Sequence, residues 1–176
     1  YRPGHALNLG ASRGKSEFII FLSAHCIPKN DNYFTDLHQS LIEEDLKCVG
    51  VYGRQLPIPC SGAQNTVDLM LTYPTEDRVL RRTPLFNNAN SMVRRNIFER
   101  YHFNENVTNL EDLIWAKELQ SEGYHFKYTS NAQVYHYHGI HQHKLNTLSD
   151  RLANSLKVLL DSGWLSIEQP DFCNYK

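Results

Sequence analysis

The chain has 176 residues, 41% of them apolar and 21% charged, with a formal net charge of -1. That length suits one domain with a sizeable core, and the composition excludes a disordered or fibrous chain. The balanced charge excludes a global basic field for nucleic acid and leaves local doublets, Arg81-Arg82 and Arg94-Arg95, which suit phosphate groups better than a duplex.

Gly4 to Gly14 carries an apolar stripe at Ala6, Leu7 and Ala11 and reads as a short helix ending near Gly14. Its glycines lack the Gly-x-Gly-x-x-Gly spacing and the Lys-Ser/Thr ending of a phosphate loop, so that function is set aside. Phe18 to Leu22 is a continuous apolar run, too short for a helix, and is expected to be an interior strand covered on both faces in a parallel sheet. Pro28 marks its end. Ligands of open α/β sheets bind beyond the carboxyl ends of the strands, which makes Ser23, His25 and Cys26 site candidates. A single histidine at a strand end is more often structural, so position alone assigns it no function.

Asn30 or Asp31 can cap a helix whose inward face takes Phe34, Leu37, Leu41 and Ile42, with the solvated acids Glu43, Glu44 and Asp45 near its end. Cys48 to Gly53 gives a second short strand, completing a strand, helix, strand unit with a right-handed connection and an α/β class. Two prolines make Arg54 to Gly62 an irregular segment that is expected to line the cleft. Val67 to Tyr73 reads as a short helix, and Pro74 to Pro84 as a polar, Arg-rich loop. Phe86 to Arg95 concentrates amides between apolar positions. Asn88 and Asn90 there offer the paired donors and acceptors that read sugar hydroxyls, turn formation being the plainer role.

Asn96 can cap a short helix over Ile97 to Tyr101. Thr108 to Gly123 is the clearest helix, with Leu110, Ile114, Ala116 and Leu119 inward, Thr108 or Asn109 as cap and Gly123 at its end. Glu111 and Asp112 fall in its first turn, where the dipole favours the ionised form; a helix-start device and a chemical role are equally good readings. Tyr124 to Tyr128 and Ala132 to His138 read as extended segments broken at Asn131. Strand alternation puts His136 and His138 on one face, and His141 and His143 follow. A structural zinc site would need thiolates, of which Cys173 alone is nearby in sequence, so none is expected. Leu145 to Leu160 carries Leu148, Leu152, Leu156 and Leu159 on one face, as in a lid or edge helix, before Gly163 and a polar tail.

The four cysteines form no Cys-x-x-Cys pair and no disulfide framework, which points to a reducing compartment. No apolar run is long enough to span a bilayer, and no basic segment precedes an apolar signal core. The opening Tyr1-Arg-Pro-Gly suggests a fragment or a processed chain.

Six motifs occur in order: Asn8-x-Gly, Phe21-Leu-Ser-Ala-His-Cys-Ile-Pro28, Gly53-Arg-Gln-x-Pro, Asn88-Ala-Asn-Ser-x-x-Arg-Arg95, Glu111-Asp-x-x-Trp-Ala and Val134-Tyr-His-x-His138. From about residue 4 to His138 the chain thereby resembles family 2 glycosyltransferases of the GT-A fold. The resemblance implies a Rossmann-like mixed sheet flanked by helices and truncated at its N-terminus, with the nucleotide-binding half upstream. Residues 1–144 would be the carboxyl-terminal portion of that domain, and 145–176 a C-terminal helix and tail. It implies a sugar transfer from a nucleotide-diphospho-sugar to a glycan or lipid-linked acceptor hydroxyl, as in polysaccharide biosynthesis. Asp112 would be the base of an inverting enzyme and Glu111 an aid to acceptor positioning. Asn8, Ser23, Arg54, Gln55, Asn88, Asn90, Arg94 and Arg95 would contact donor or acceptor. His25, with His136 or His138, would hold a divalent metal, manganese or magnesium, although Ser23 stands where the family has an Asp and Leu7 where it commonly has an Arg. The implied setting is cytoplasmic, with peripheral association at the inner face of the membrane as an extension, and nucleic acid is not a partner. A retaining metal-dependent transferase and a non-catalytic glycan- or nucleotide-binding module are the alternatives.

Overall fold

The computed structural model describes residues 2–59, 61–107 and 110–136. In chain order the elements are helix α1 (Pro3–Ser12), strands β1 (Phe18–Leu22) and β2 (Cys26–Pro28), helix α2 (Tyr33–Ile42), strand β3 (Cys48–Pro57), helix α3 (Ala63–Thr72), strands β4 (Arg78–Leu80) and β5 (Asn90–Arg94), helices α4 (Arg95–Phe98) and α5 (Glu111–Ser121), and strand β6 (His125–His136). The strands form one sheet in the order β1-β5-β3-β6-β2, with β4 also paired to β6. The class is α/β with a mixed sheet: β3 and β6 are parallel, and every other pair is antiparallel.

β1 departs from expectation. Among the described residues its one partner is β5, so it is an edge strand and not an interior one. Its burial alternates, with Ile19 and Phe21 enclosed while Ile20 and Leu22 are 37% and 38% exposed. An unbroken apolar run fits either position, because the run itself does not record how many neighbours the strand has.

β3 runs through Arg54 and Gln55, which were expected in an irregular loop. Pro57 occupies the last ladder position, opposite His136, where a missing N–H is tolerated. The two extended segments expected at the end of the domain are a single strand, β6, and the break at Asn131 is a bulge: pairing jumps from Gly53↔Thr129 to Arg54↔Gln133. Gly53 is required there, since a Cβ on it would lie 2.1 Å from the Ala132 carbonyl oxygen. β2 follows the first strand and takes in the Pro28 that was to end it, and β4 forms within the expected loop, each a three-residue strand held by β6.

The sheet has a core on each face, as strand alternation requires. On one side α2 packs Tyr33, Leu37 and Leu41 against Val51, Met92 and Val134. Tyr33, 1% exposed, takes the place expected of Phe34, which is 55% exposed. On the other side Phe21, Phe86, Phe98, Phe103 and Phe126 gather with Trp115 of α5. The Trp115 indole N–H donates to the Tyr101 carbonyl at 2.6 Å, so the ring is both packed and satisfied. α5 ends as expected, with Gly123 at φ 83°. Leu110 occupies its N-cap position. Thr108, Asn109, His138 and the expected helix over residues 145–160 lie outside the described residues. Among the described residues no helix is long and apolar enough to cross a membrane.

Candidate functional site

β1 is antiparallel to β5, and β5 to β3, so β1, β3 and β6 all run the same way. Their carboxyl ends therefore share one edge of the sheet, where β5 begins; the register places Leu22 beside Asn90 and Pro57 beside His136. Side chains distant in sequence converge at that edge for this reason alone. The first turn of α5 brings Glu111 and Asp112 to the same place.

His25 and His136 stack with ring centroids 4.7 Å apart and planes inclined by 26°. The Ser23 Oγ lies 3.0 Å from Nδ1 of His25. Nδ1 of His136 is hydrogen-bonded to Oε1 of Gln55. Gln55 Nε2 donates to Asn87 Oδ1 at 2.9 Å, and that oxygen also accepts the Ala89 backbone N–H at 2.9 Å. Asn88, the next residue, donates its backbone N–H to Asp112 Oδ2 at 3.3 Å and its Nδ2 to Glu111 Oε1 at 2.9 Å. Two hydrogen-bonded runs, one from the histidine pair to Asn87 and one from Asn88 to the carboxyl pair, thus meet at adjacent residues of one turn.

Burial raises the proton affinity of Asp112 from the ordinary 3.8 to about 7, and the neighbouring Glu111 adds to the effect. Backbone N–H groups of Asn88 and Leu113 pull the other way without cancelling it. The helix dipole, which favours the ionised form, is therefore outweighed at this helix start. Glu111 is buried, and its Oε2 has no hydrogen-bond partner among the described residues.

The other candidates have different partners. Asn8 donates to the Phe103 carbonyl at 2.9 Å and accepts the Phe103 N–H at 3.1 Å, tying α1 to the segment before α5. Arg94 is 9% exposed, and its guanidinium donates to the Cys48 and Leu41 carbonyls at 2.9 and 3.1 Å. Arg95 donates to the Ala11 and Ser16 carbonyls. Both arginines thus brace the backbone, and as successive residues of a strand end they do so in different directions. Arg54 donates to the Tyr73 carbonyl at 3.1 Å. Asn90 is fully buried, accepting from the Tyr33 hydroxyl at 2.9 Å and donating to the Ala132 carbonyl at 3.2 Å. The sequence pointed to neither Asn87 nor Tyr33 as a site residue. Asn87 stood inside the amide-rich run, but Tyr33 carried no signal beyond its apolar body. Two surface cavities of about 460 Å³ lie elsewhere, one between α1 and β1 and one beside His5 and Glu105.

No family model matches the sequence, and no curated protein does. The fold, however, is that of a known transferase structure. The chain superposes on the mannosyltransferase PcManGT from Pyrobaculum calidifontis, solved in complex with GDP-Man and Mn2+, with a TM-score of 0.57 and 15% identity. The match covers 95% of this chain and 45% of that protein, so this chain spans less than half its length. At this identity the likeness is one of fold.

Proposed function

We propose that the chain is part of a glycosyltransferase that moves a sugar from a nucleotide-diphospho-sugar to a hydroxyl of a glycan or lipid-linked acceptor, with inversion at the anomeric carbon. The observation that carries this reading is the convergence of a largely enclosed carboxyl pair and a histidine pair on the Asn87–Asn88 turn, at one edge of a sheet whose fold is shared with a mannosyltransferase. Asp112 is the base. It takes the proton of the acceptor hydroxyl as that oxygen bonds to the anomeric carbon, and the bond from that carbon to the diphosphate oxygen breaks with its electron pair leaving on the diphosphate. A carboxyl centred near 7 suits the step, being a stronger base than an ordinary Asp while still largely deprotonated just above neutrality. Glu111, held by Asn88, positions the acceptor. Ser23 and His25, at the end of β1, face the donor.

The neighbour's Mn2+ raises the question of a metal here. His25, His136 and the Ser23 hydroxyl supply no carboxylate, and nearly parallel stacked rings do not turn their nitrogens toward a common point. Among the described residues no three His, Cys, Asp or Glu side chains form a group that could hold a metal ion. Such a set fits a hard cation poorly. The same scarcity of carboxylates favours, as a second reading, a module that binds nucleotide or glycan without catalysis.

Transfer assays on the intact protein with a panel of nucleotide sugars separate these readings. An inverted product, lost in Asp112→Asn, is expected. A product of retained configuration overturns the assignment of the base, and binding without either transfer or donor hydrolysis favours the module.

A further inference from the structure

A backbone N–H cannot exchange its role with an acceptor, and one such group stands at the root of the hydrogen-bonded run to the histidine pair. The Ala89 N–H donates to a side-chain atom of Asn87 at 2.9 Å, so that atom must be the amide oxygen, Oδ1. The same oxygen lies 2.9 Å from the amide end of Gln55, and an oxygen that already accepts can meet only a donor there, which is Gln55 Nε2. Gln55 is 2% exposed and sits on the central strand β3, so its amide has one orientation available once that nitrogen is fixed. Its oxygen, Oε1, then faces Nδ1 of His136. A carbonyl oxygen only accepts, hence Nδ1 of His136 must carry a hydrogen.

We infer that Gln55 and Asn87 are positioning residues that lock His136 in its Nδ1-protonated tautomer, the choice being dictated through two side-chain amides by the backbone N–H of Ala89. In its neutral form the ring then has Nε2 as its acceptor nitrogen. Which ring nitrogen carries the proton in such sites is set by the partner of the other one, and here the partner is part of a fixed relay. The relay also orients the ring on which His25 stacks. This deepens the transferase reading, because it assigns Gln55 to holding the site and not to touching the donor. It also rests on that reading for its meaning in catalysis, though not for its physics.

The test is the nitrogen spectrum of 15N-histidine-labelled protein at pH 8, where a neutral ring reports its tautomer through the different couplings of protonated and bare nitrogens. Wild-type His136, assigned by its absence in His136→Gln, should show a single form protonated at Nδ1. Gln55→Leu should lose that single form, giving an averaged or Nε2-protonated ring. Asn87→Asp, which keeps an acceptor for both Ala89 and Gln55, should preserve it. A wild-type ring protonated at Nε2 overturns the inference without recourse to any variant. So does a folded Gln55→Leu protein with an unchanged His136 signal. Because the readout needs no substrate, an Nδ1-protonated wild type whose signal collapses in Gln55→Leu supports the relay even if every transfer assay is negative and the functional reading falls.

Discussion

Replacing Asp112 by Asn separates stability from catalysis at one atom. The wild-type carboxyl binds its proton more tightly in the folded chain, where its value is about 7, than at the ordinary 3.8 of an unfolded chain. Between those values the folded state holds more protons, so stability falls as pH rises through the window and levels off above about 7. At 1.36 kcal/mol per unit the whole shift corresponds to about 4 kcal/mol; Asp112 is partly exposed and coupled to Glu111, so screening reduces this to about 2 kcal/mol. The amide of Asn mimics the neutral carboxyl, which likewise offers Asn88 and Leu113 one carbonyl acceptor, and the cost of the charged form already includes both of those bonds. The variant should therefore match wild type to within about 1 kcal/mol at pH 4 and be roughly 2 kcal/mol more stable at pH 8. Urea unfolding of both proteins at four or five pH values measures the difference directly. In the intact protein the same variant should lose turnover on the order of 100-fold with donor binding unchanged. A stability difference that is flat with pH refutes the buried-carboxyl argument, and full turnover in Asp112→Asn refutes its role as base.

Gly53→Ala should cost about 3 kcal/mol or prevent folding, because the new methyl meets the Ala132 carbonyl; thermal melting of the variant decides it. Arg94→Met should lower unfolding free energy by about 2 kcal/mol through two buried carbonyls left unsatisfied, while nucleotide-sugar affinity measured by calorimetry stays at the wild-type level; a selective loss of affinity would return Arg94 to the ligand. Because His25, His136 and the Ser23 hydroxyl fit a hard cation poorly, His25→Ala should leave the Mn2+ affinity of the intact protein, measured by calorimetry with and without a nucleoside diphosphate, at the wild-type level, and a loss of affinity would return His25 to a metal shell.

Local chemistry made several features legible in the sequence: the α/β class, the helix that ends at Gly123, the strand-end position of Ser23 and His25, and the acidic first turn of α5. Each follows from spacing within a dozen residues, where periodicity, glycine conformation and strand alternation act. The edge position of β1, the continuation of β3 through Arg54 and Gln55, and the bulge that makes Gly53 obligatory depend on which strands become neighbours, and the partners in these ladders are far apart in sequence, as Pro57 is from His136. The same holds for the site. Amides and arginines between Phe86 and Arg95 look alike as a list, but the pleat turns Arg94 into the core beneath α2 and Asn90 onto Tyr33, while the turn before β5 leaves Asn87 and Asn88 to meet Gln55 and the α5 carboxyls. The proton affinity of Asp112 was decided by enclosure, a property of the assembled fold: sequence supplied the dipole that favours its charge, and tertiary packing supplied the burial and the neighbouring Glu111 that overrule it.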